Sequence, residues 1–378
     1  MNNVYQKSLH LHQKNRGKLE IRSKVPLKTK NDLSLAYTPG VAEVCRAIAQ
    51  DKSLASVYTL KANTIAVVSD GSAILGLGNL GPEAAMPVME GKAILFKNFA
   101  NVDAFPICLD TQDTEEIIKT VKYLAPTFGG INLEDISAPR CFEIEERLKK
   151  ELNIPVMHDD QHGAATVTLA ALINAIKLRK IKKEEAQVLV NGAGAAGTAI
   201  AKLLLTYGFK NIIVCDSQGA ISSDRKDLSG VKKVLAELTN KNKVSGELKE
   251  AIKNMDVFIG ASVSKVLSPE MVKTMNPKPI IFALANPVPE IMPEEAKAAG
   301  AFVVATGRSD YPNQINNVLA FPGIFRGALD HKVKQITDEM LIRVAEGLAG
   351  MVKSPQVEMI IPSPLDKKVA KVVAKQIY

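Results

Sequence analysis

Residues 187–216 read QVLVN, GAGAAG, TAIAKLLLTYGFK, NIIVCD, and no other stretch of the chain narrows the fold so far. A continuous apolar run, a glycine-rich turn, a long apolar helix and a second apolar run ending in an acid make a strand–helix–strand unit. Strands that are apolar without alternation are buried on both faces, which is the habit of parallel sheets covered by helices. The turn carries Gly192, Gly194 and Gly197 in a G-x-G-x-x-G arrangement, and Asp216 closes the second strand nineteen positions after Gly197. Glycines allow the tight turn and a close backbone approach to a pyrophosphate. The helix start, with Ala195 and Ala196, offers its positive end, and the acid accepts hydrogen bonds from ribose hydroxyls. Gly192, Gly194, Ala195, Ala196, Gly197 and Asp216 are therefore candidate dinucleotide-binding residues. Asp216 repels a 2′-phosphate and Ser217 and Gln218 are not basic, which favours NAD. Arg225 and Lys226 lie near enough to keep NADP open.

A second G-x-G-x-x-G, Gly76 to Gly81, has no such context. It follows a turn and an expected short strand over Ala73–Leu77, then meets Pro82, a residue suited to a first helical turn. It reads as a tight turn lining a cleft. Around it the first half alternates expected strands (Thr64–Ser69, Ala104–Leu109, Gly130–Asn132, Pro155–His158) with expected helices from Pro82, over Thr114–Leu124 and over Arg140–Leu152. Before them lie an irregular basic segment to about Lys30 and a helix VAEVCRAIAQ after the turn YTPG. The second half continues with a helix Ala164–Lys180 and strands Val257–Gly260, Ile280–Ala283 and Phe302–Ala305. Helices follow over Asp338–Met351 and Asp366–Gln376, their packing partner open.

The fold class is α/β: an N-terminal α/β catalytic and metal-binding domain, residues 1–163, and a Rossmann-like doubly wound parallel-sheet dinucleotide-binding domain, residues 164–378. A length of 378 residues suits two domains. The scattered cysteines Cys45, Cys108, Cys141 and Cys215 form no paired motif, so neither a disulfide framework nor a thiolate zinc site is expected. The polar, basic N-terminus lacks a signal-peptide core. The apolar stretch Ala164–Ile176 is too short and too polar to span a bilayer. A cytoplasmic protein without membrane attachment is expected. Aromatic residues are only 5% and the basic residues are dispersed, which argues against nucleic acid despite a net charge of +8.

Two acidic pairs, Glu134-Asp135 and Asp159-Asp160, each follow an expected strand. Carboxylates converging on one point need a cation between them, and hard divalent ions such as Mg²⁺ or Mn²⁺ prefer oxygen ligands. Helix capping explains one acid per loop but not two. Between these readings spacing does not decide. His158 and His162 flank the second pair without a further zinc-type partner, so a hydrogen-bonding role suits them. Lys92 stands in an apolar helix, MEGKAILF, where burial would lower its pKa towards that of a general base. A snorkelling surface lysine is the commoner outcome for such a position. Tyr37, in LAYTPG, would ordinarily be a packing aromatic.

The segments SLAYTPGVAEV, VVSDGSAILGLGNLGPEAAMPVMEGKAILFK, FGGINLEDISAP, IPVMHDDQHGAA, VLVNGAGAAGTAIA, IFALANPVPEI and VATGRSDYPNQINNVLAFPGI, in this order, resemble the malic enzyme family in its short prokaryotic form. The resemblance implies oxidative decarboxylation of L-malate to pyruvate and carbon dioxide, with NAD or NADP and a divalent metal. It implies Tyr37 as general acid, Lys92 as general base, Asp159 as the acid tuning that pair, and Glu134, Asp135 and Asp160 as metal ligands. Asn286 and Asn317 match residues holding the nicotinamide ribose region and the substrate carboxylate. Lys92 would take the C2 hydroxyl proton as hydride leaves, and Tyr37 would protonate C3 after loss of carbon dioxide. The family also implies a homodimer in which the N-terminal segment, with Tyr37, crosses to the partner. One departure concerns the substrate: longer members carry an arginine where this chain has Ala73, and Arg308 in the GRSD loop is the expected replacement. The competing functions are a metal-dependent oxaloacetate decarboxylase, disfavoured by the intact fingerprint with Asp216, and a non-catalytic dinucleotide sensor, which would not need Lys92, Tyr37 and both acidic pairs.

Overall fold

The computed structural model describes residues 2–378 and contains two parallel-sheet units. In the first unit β1 (Thr64–Ser69), β2 (Asp103–Cys108), β3 (Gly130–Leu133) and β4 (Val156–His158) lie in the order β2-β1-β3-β4, all parallel. In the second, β5 (Gln187–Asn191), β6 (Asn211–Asp216), β7 (Gly219–Ala220), β8 (Val257–Gly260), β9 (Ile280–Ala283) and β10 (Val303–Thr306) take the order β10-β9-β8-β5-β6-β7. Only β7 runs antiparallel. In each unit the order reverses beside a central strand, β1 or β5. Such switch points open a crevice at the carboxyl ends of the strands.

The apolar runs explain the burial: every residue of β1, β3, β8, β9 and β10 is buried. The helix Asp159–Arg179 joins the two units and runs without a break across the expected boundary between 163 and 164. It begins five residues before the expected Ala164. Asp159 and Asp160 occupy its first turn, where carboxylates complement the positive end of the helix. Gly163 within it is a close-approach residue, since a Cβ there would lie 1.9 Å from Asp159 Oδ1.

The C-terminal helices return to the first unit. Phe96 of the Pro82–Ala100 helix meets Phe321 and Phe325 of the Phe321–Asp330 helix edge to face, at 4.7 and 5.5 Å. The helix Asp338–Met351 packs on Asp159–Arg179, where Asn174 Nδ2 donates to the carbonyls of Ala349 and Ile360. The expected helix Asp366–Gln376 is shorter, Val369–Ala374, and packs on Phe321–Asp330 and Pro82–Ala100.

Two expectations at the start of the chain are corrected. Ala73–Leu77 is not a strand but a tight turn: Leu75 and Gly76 take φ of 46° and 72°, and Ile74 N–H bonds the Gly78 carbonyl across it. The basic segment to Lys30 is not wholly irregular, for Asn2–Asn15 is helical. Helices Lys30–Ala36 and Val41–Gln50 follow, the first closed by a Thr29/Asp32 capping box. None of the described side chains from residue 4 to 63 is buried, and Leu9, Ile21, Leu35 and Tyr37 are 65%, 87%, 70% and 67% exposed.

Candidate active site

Glu134 and Asp135 leave the carboxyl end of β3, and Asp159 and Asp160 leave that of β4, so neighbouring parallel strands deliver both acidic pairs to one crevice. Oxygens of Glu134, Asp135 and Asp160 lie within 4.8 Å of one another. Lys92 reaches them from the Pro82–Ala100 helix. It is 9% exposed and not a snorkelling surface residue. Its Nζ lies 2.6 Å from Asp159 Oδ2 and 2.8 Å from Glu134 Oε1, and 4.3 Å from the Phe321 ring centre. Asn317 Nδ2 donates to Asp159 Oδ2 at 3.0 Å. Asn132 Nδ2 donates to Glu134 Oε2 at 2.9 Å, and the Asp135 N–H to Asp160 Oδ2 at 2.8 Å.

The electrostatics are those of too many acids for one ammonium. Burial, aided by repulsion from Asp160 and Asp159 and opposed by Lys92, raises Glu134 well above the ordinary carboxylate range. Burial and Asp160 push Asp135 up to about 7. Burial favours a neutral Lys92, as expected from its apolar helix. The attraction of Asp159 and Glu134 outweighs it, so the ammonium is held above its usual value and is not lowered. Among the described residues, Asp135 Oδ2 and Asp159 Oδ1 are buried without a hydrogen-bond partner. Buried carboxylate oxygens normally find one. Three converging acids with an unsatisfied oxygen are a donor set of the kind hard divalent cations use.

Behind this cluster Glu145 pins the first turn of the Asp159–Arg179 helix. It accepts from the His158 N–H, Gln161 Nε2 and His162 Nε2, and pairs with Lys149. Burial would raise Glu145, but His162 and Lys149 hold it far below the usual range. His162 thus has the hydrogen-bonding role expected of it. His158 is fully buried, and neither ring nitrogen has a partner within bonding distance.

The glycine fingerprint lines a second cleft of about 950 Å³, with Gly192, Gly194 and Asp216 on one wall and Ala138, Pro139 and Phe142 on the other. Its glycines differ in task. A Cβ on Gly192 would sit 2.2 Å from the Ala261 carbonyl oxygen, and one on Gly197 1.9 Å from that of Gly192. A Cβ on Gly194 would meet nothing within 4 Å, so its backbone faces open space. That cradle fits a pyrophosphate. Both oxygens of Asp216 are already engaged. Arg225 Nη1 donates to Oδ1 at 2.8 Å and Lys232 Nζ to Oδ2 at 2.6 Å. Burial would raise its pKa, but these bonds bring it down to about 2.

Not every expected residue joins the site. Tyr37 caps the end of the Lys30–Ala36 helix, exposed, and no hydrogen bond among the described residues joins it to Lys92. Arg308 has its guanidinium on Asp310, at 2.9 and 2.6 Å, and against the Pro287 carbonyl. Asn286 Nδ2 bonds the Leu284 carbonyl, and the side chain abuts Gly307. Sequence reasoning passes over Asn132, Arg140, Glu145 and Lys232. Asn132 carries a usable signal, since it is a polar residue inside the apolar run of β3, two positions before Glu134. Lys232 carries none, because a separate helix brings it to Asp216.

Residues 16–149 match the family model described as malic enzyme, N-terminal domain, and residues 161–378 that described as malic enzyme, NAD binding domain. The chain is 58% identical to the bifunctional malic/malolactic enzyme of Bacillus subtilis, over 98% of this chain and 92% of that protein. It is 57% identical to the NAD-dependent malic enzyme of Geobacillus stearothermophilus, over 96% of this chain and 76% of the relative. The crystal structure of the NAD-dependent malic enzyme of Thermotoga maritima superposes with a TM-score of 0.95 at 52% identity, covering 98% of each chain.

Proposed function

The chain belongs to the malic enzyme family, and from that premise we propose how its own residues carry out the NAD(P)-dependent oxidative decarboxylation of L-malate to pyruvate. The observation that carries the assignment is the buried Lys92 bonded to Asp159 and Glu134 beside three converging carboxylates. When bound, a divalent cation supplies Lewis acidity and the nicotinamide a hydride acceptor. Glu134, Asp135 and Asp160 would hold the cation, and Gly192, Gly194, Ala195, Ala196, Gly197 and Asp216 the dinucleotide. Residues 1–163 then form the catalytic and metal-binding domain and residues 164–378 the dinucleotide-binding domain.

Lys92 accepts the C2 hydroxyl proton of malate. To do so it must first be neutral, and Glu134 is the lever: a Glu134 carboxylate that held a cation would attract the Lys92 ammonium less. Relieved of one of its two carboxylates, Lys92 holds its proton less tightly. Asp159, itself fixed by Asn317, keeps the Lys92 amine aimed while it exchanges protons. Asn286 and Asn317 position the nicotinamide ribose region and the substrate. Arg308 is assigned to a malate carboxylate, and reaching it requires releasing Asp310. Tyr37 protonates C3. Its exposure supports action in the site of a second copy within a homodimer. Among the described residues no helix is long and apolar enough to cross a membrane, and a cytoplasmic location fits a reaction on soluble metabolites.

The deciding experiment follows absorbance of the reduced nicotinamide with L-malate and Mn²⁺ while pyruvate and lactate are assayed. Matched reduction and pyruvate, abolished by chelator, are expected. Lys92→Ala should lose activity by roughly 10²–10⁴-fold, the usual reach of a general base, with dinucleotide binding retained. Turnover surviving in Lys92→Ala refutes the assignment. The Bacillus subtilis relative is described as both malic and malolactic. Lactate without net nicotinamide reduction would place this chain's main flux on the second of those activities.

A further inference from the structure

The loop after β1 and the loop after β3 are laced together, and a single guanidinium ties the knot. The Ala73 N–H donates to the Asp135 carbonyl at 3.0 Å and the Ser137 N–H to Ser72 Oγ at 2.9 Å. Arg140 Nη2 then lies 2.9 Å from Asp70 Oδ2, 3.0 Å from Ser72 Oγ and 3.1 Å from Ser137 Oγ, touching both loops at once. Its Nη1 is anchored on the Gln112 carbonyl. Asp70 is 1% exposed, and among the described residues Arg140 is the cation paired with it. The loop's own sequence supplies no cation, since residue 73 is alanine.

Asp135 sits in the middle of this lacing with φ of +53°, a left-handed conformation rare for a residue with a side chain. Such a backbone persists only where its surroundings over-determine it. Here the carbonyl is held by Ala73 and the N–H by Asp160. Released, the residue would relax towards ordinary φ and swing its carboxylate away from Glu134 and Asp160. Groups that orient a ligand in this way commonly govern metal affinity as strongly as the ligands do.

We propose that Arg140 is a positioning residue of the metal cluster: by gripping Asp70, Ser72 and Ser137 together, it holds Asp135 in the left-handed conformation that brings its carboxylate to Glu134 and Asp160. The proposal rests on the assignment of Glu134, Asp135 and Asp160 as metal ligands. Arg140 itself is not among the residues lining the dinucleotide cleft.

The test is Mn²⁺ binding to the full-length protein by electron paramagnetic resonance, without substrate, beside NAD binding by calorimetry. Arg140→Ala strands a buried carboxylate, so Arg140→Ala is also combined with Asp70→Asn, which removes that charge and protects folding. The double variant should raise the Mn²⁺ Kd by about 10- to 100-fold and leave the NAD Kd unchanged. Millimolar guanidinium should restore much of the Mn²⁺ affinity of Arg140→Ala and do nothing to the wild type. A wild-type Mn²⁺ Kd in the double variant overturns the proposal. So does a joint loss of Mn²⁺ and NAD affinity that guanidinium does not rescue, since that marks general unfolding. Asp135→Asn is the separate control. If it binds Mn²⁺ like the wild type, the metal assignment fails and takes the proposal with it. If it binds weakly while the Arg140 variants bind normally, the proposal alone fails.

Discussion

Arg225 and Lys232 convert Asp216 from a free ribose acceptor into the centre of an ion cluster. A free acid at this position selects NAD by repelling a 2′-phosphate. A carboxylate already neutralised by a guanidinium and an ammonium repels far less. Lys232 lines the dinucleotide cleft and is the more exposed of the pair, with 40% of its side chain in solvent. The NAD preference drawn from Asp216 and its two neutral neighbours is therefore weaker in the folded chain than in the sequence, and NADP should bind measurably. Lys232→Ala is expected to weaken NADP by about tenfold, the scale of one charge-assisted hydrogen bond, and NAD by much less. Calorimetric titration with the two cofactors measures this directly. An equal effect on both would mean that Lys232 serves only to hold Asp216.

Helices close on one another here through particular glycines, and that closeness can be tested at Gly327. It lies in the Phe321–Asp330 helix, and a Cβ on it would stand 2.4 Å from the Ala374 carbonyl oxygen. Gly327→Ala forces the Val369–Ala374 helix outward. A loss of about 1–3 kcal/mol is expected, the usual cost of overpacking, read as a lower urea midpoint with an unchanged slope. Malate turnover should fall less, since the catalytic cluster lies on other elements. No loss would mean that the terminal helix floats freely on its neighbours. These contacts join residues far apart in the chain, so the sequence could not place the C-terminal helices. Most strands were legible because they are short apolar runs that end buried between helices; the two-residue β7 was not, and β2 lies mostly half-buried. The acidic pairs were legible because they directly follow β3 and β4. Ala73–Leu77 misled because its apolar residues look strand-like while positive φ at Leu75 and Gly76 bends them into a turn. The helix expected from Ala164 starts five residues earlier, because Asp159 and Asp160 fit its first turn.

For the molecule as a whole, residues 4–63 stand apart: none of their side chains is fully buried, and Leu9, Ile21, Leu27, Leu35 and Tyr37 face solvent. The homodimer proposed above would cover these apolar side chains and bring Tyr37 of one copy to Lys92 of the other, since a two-fold axis gives each arm the same surface on the other copy. The consequence is complementation. Tyr37→Phe and Lys92→Ala are each expected to be nearly inactive alone. Unfolded together and refolded as a mixture, half of the dimers pair one variant with the other, and each mixed dimer regains one complete site: Lys92 from the first chain, Tyr37 from the second. Activity should then rise to about a quarter of the wild-type level per subunit, as two-fold symmetry and random pairing require. If Tyr37 serves its own chain, each mixed dimer contains two broken sites and the mixture stays as inactive as its components. Sedimentation of the mixture must show dimers for that negative result to count. With dimers present and no recovery, the arm covers apolar surface without delivering the proton.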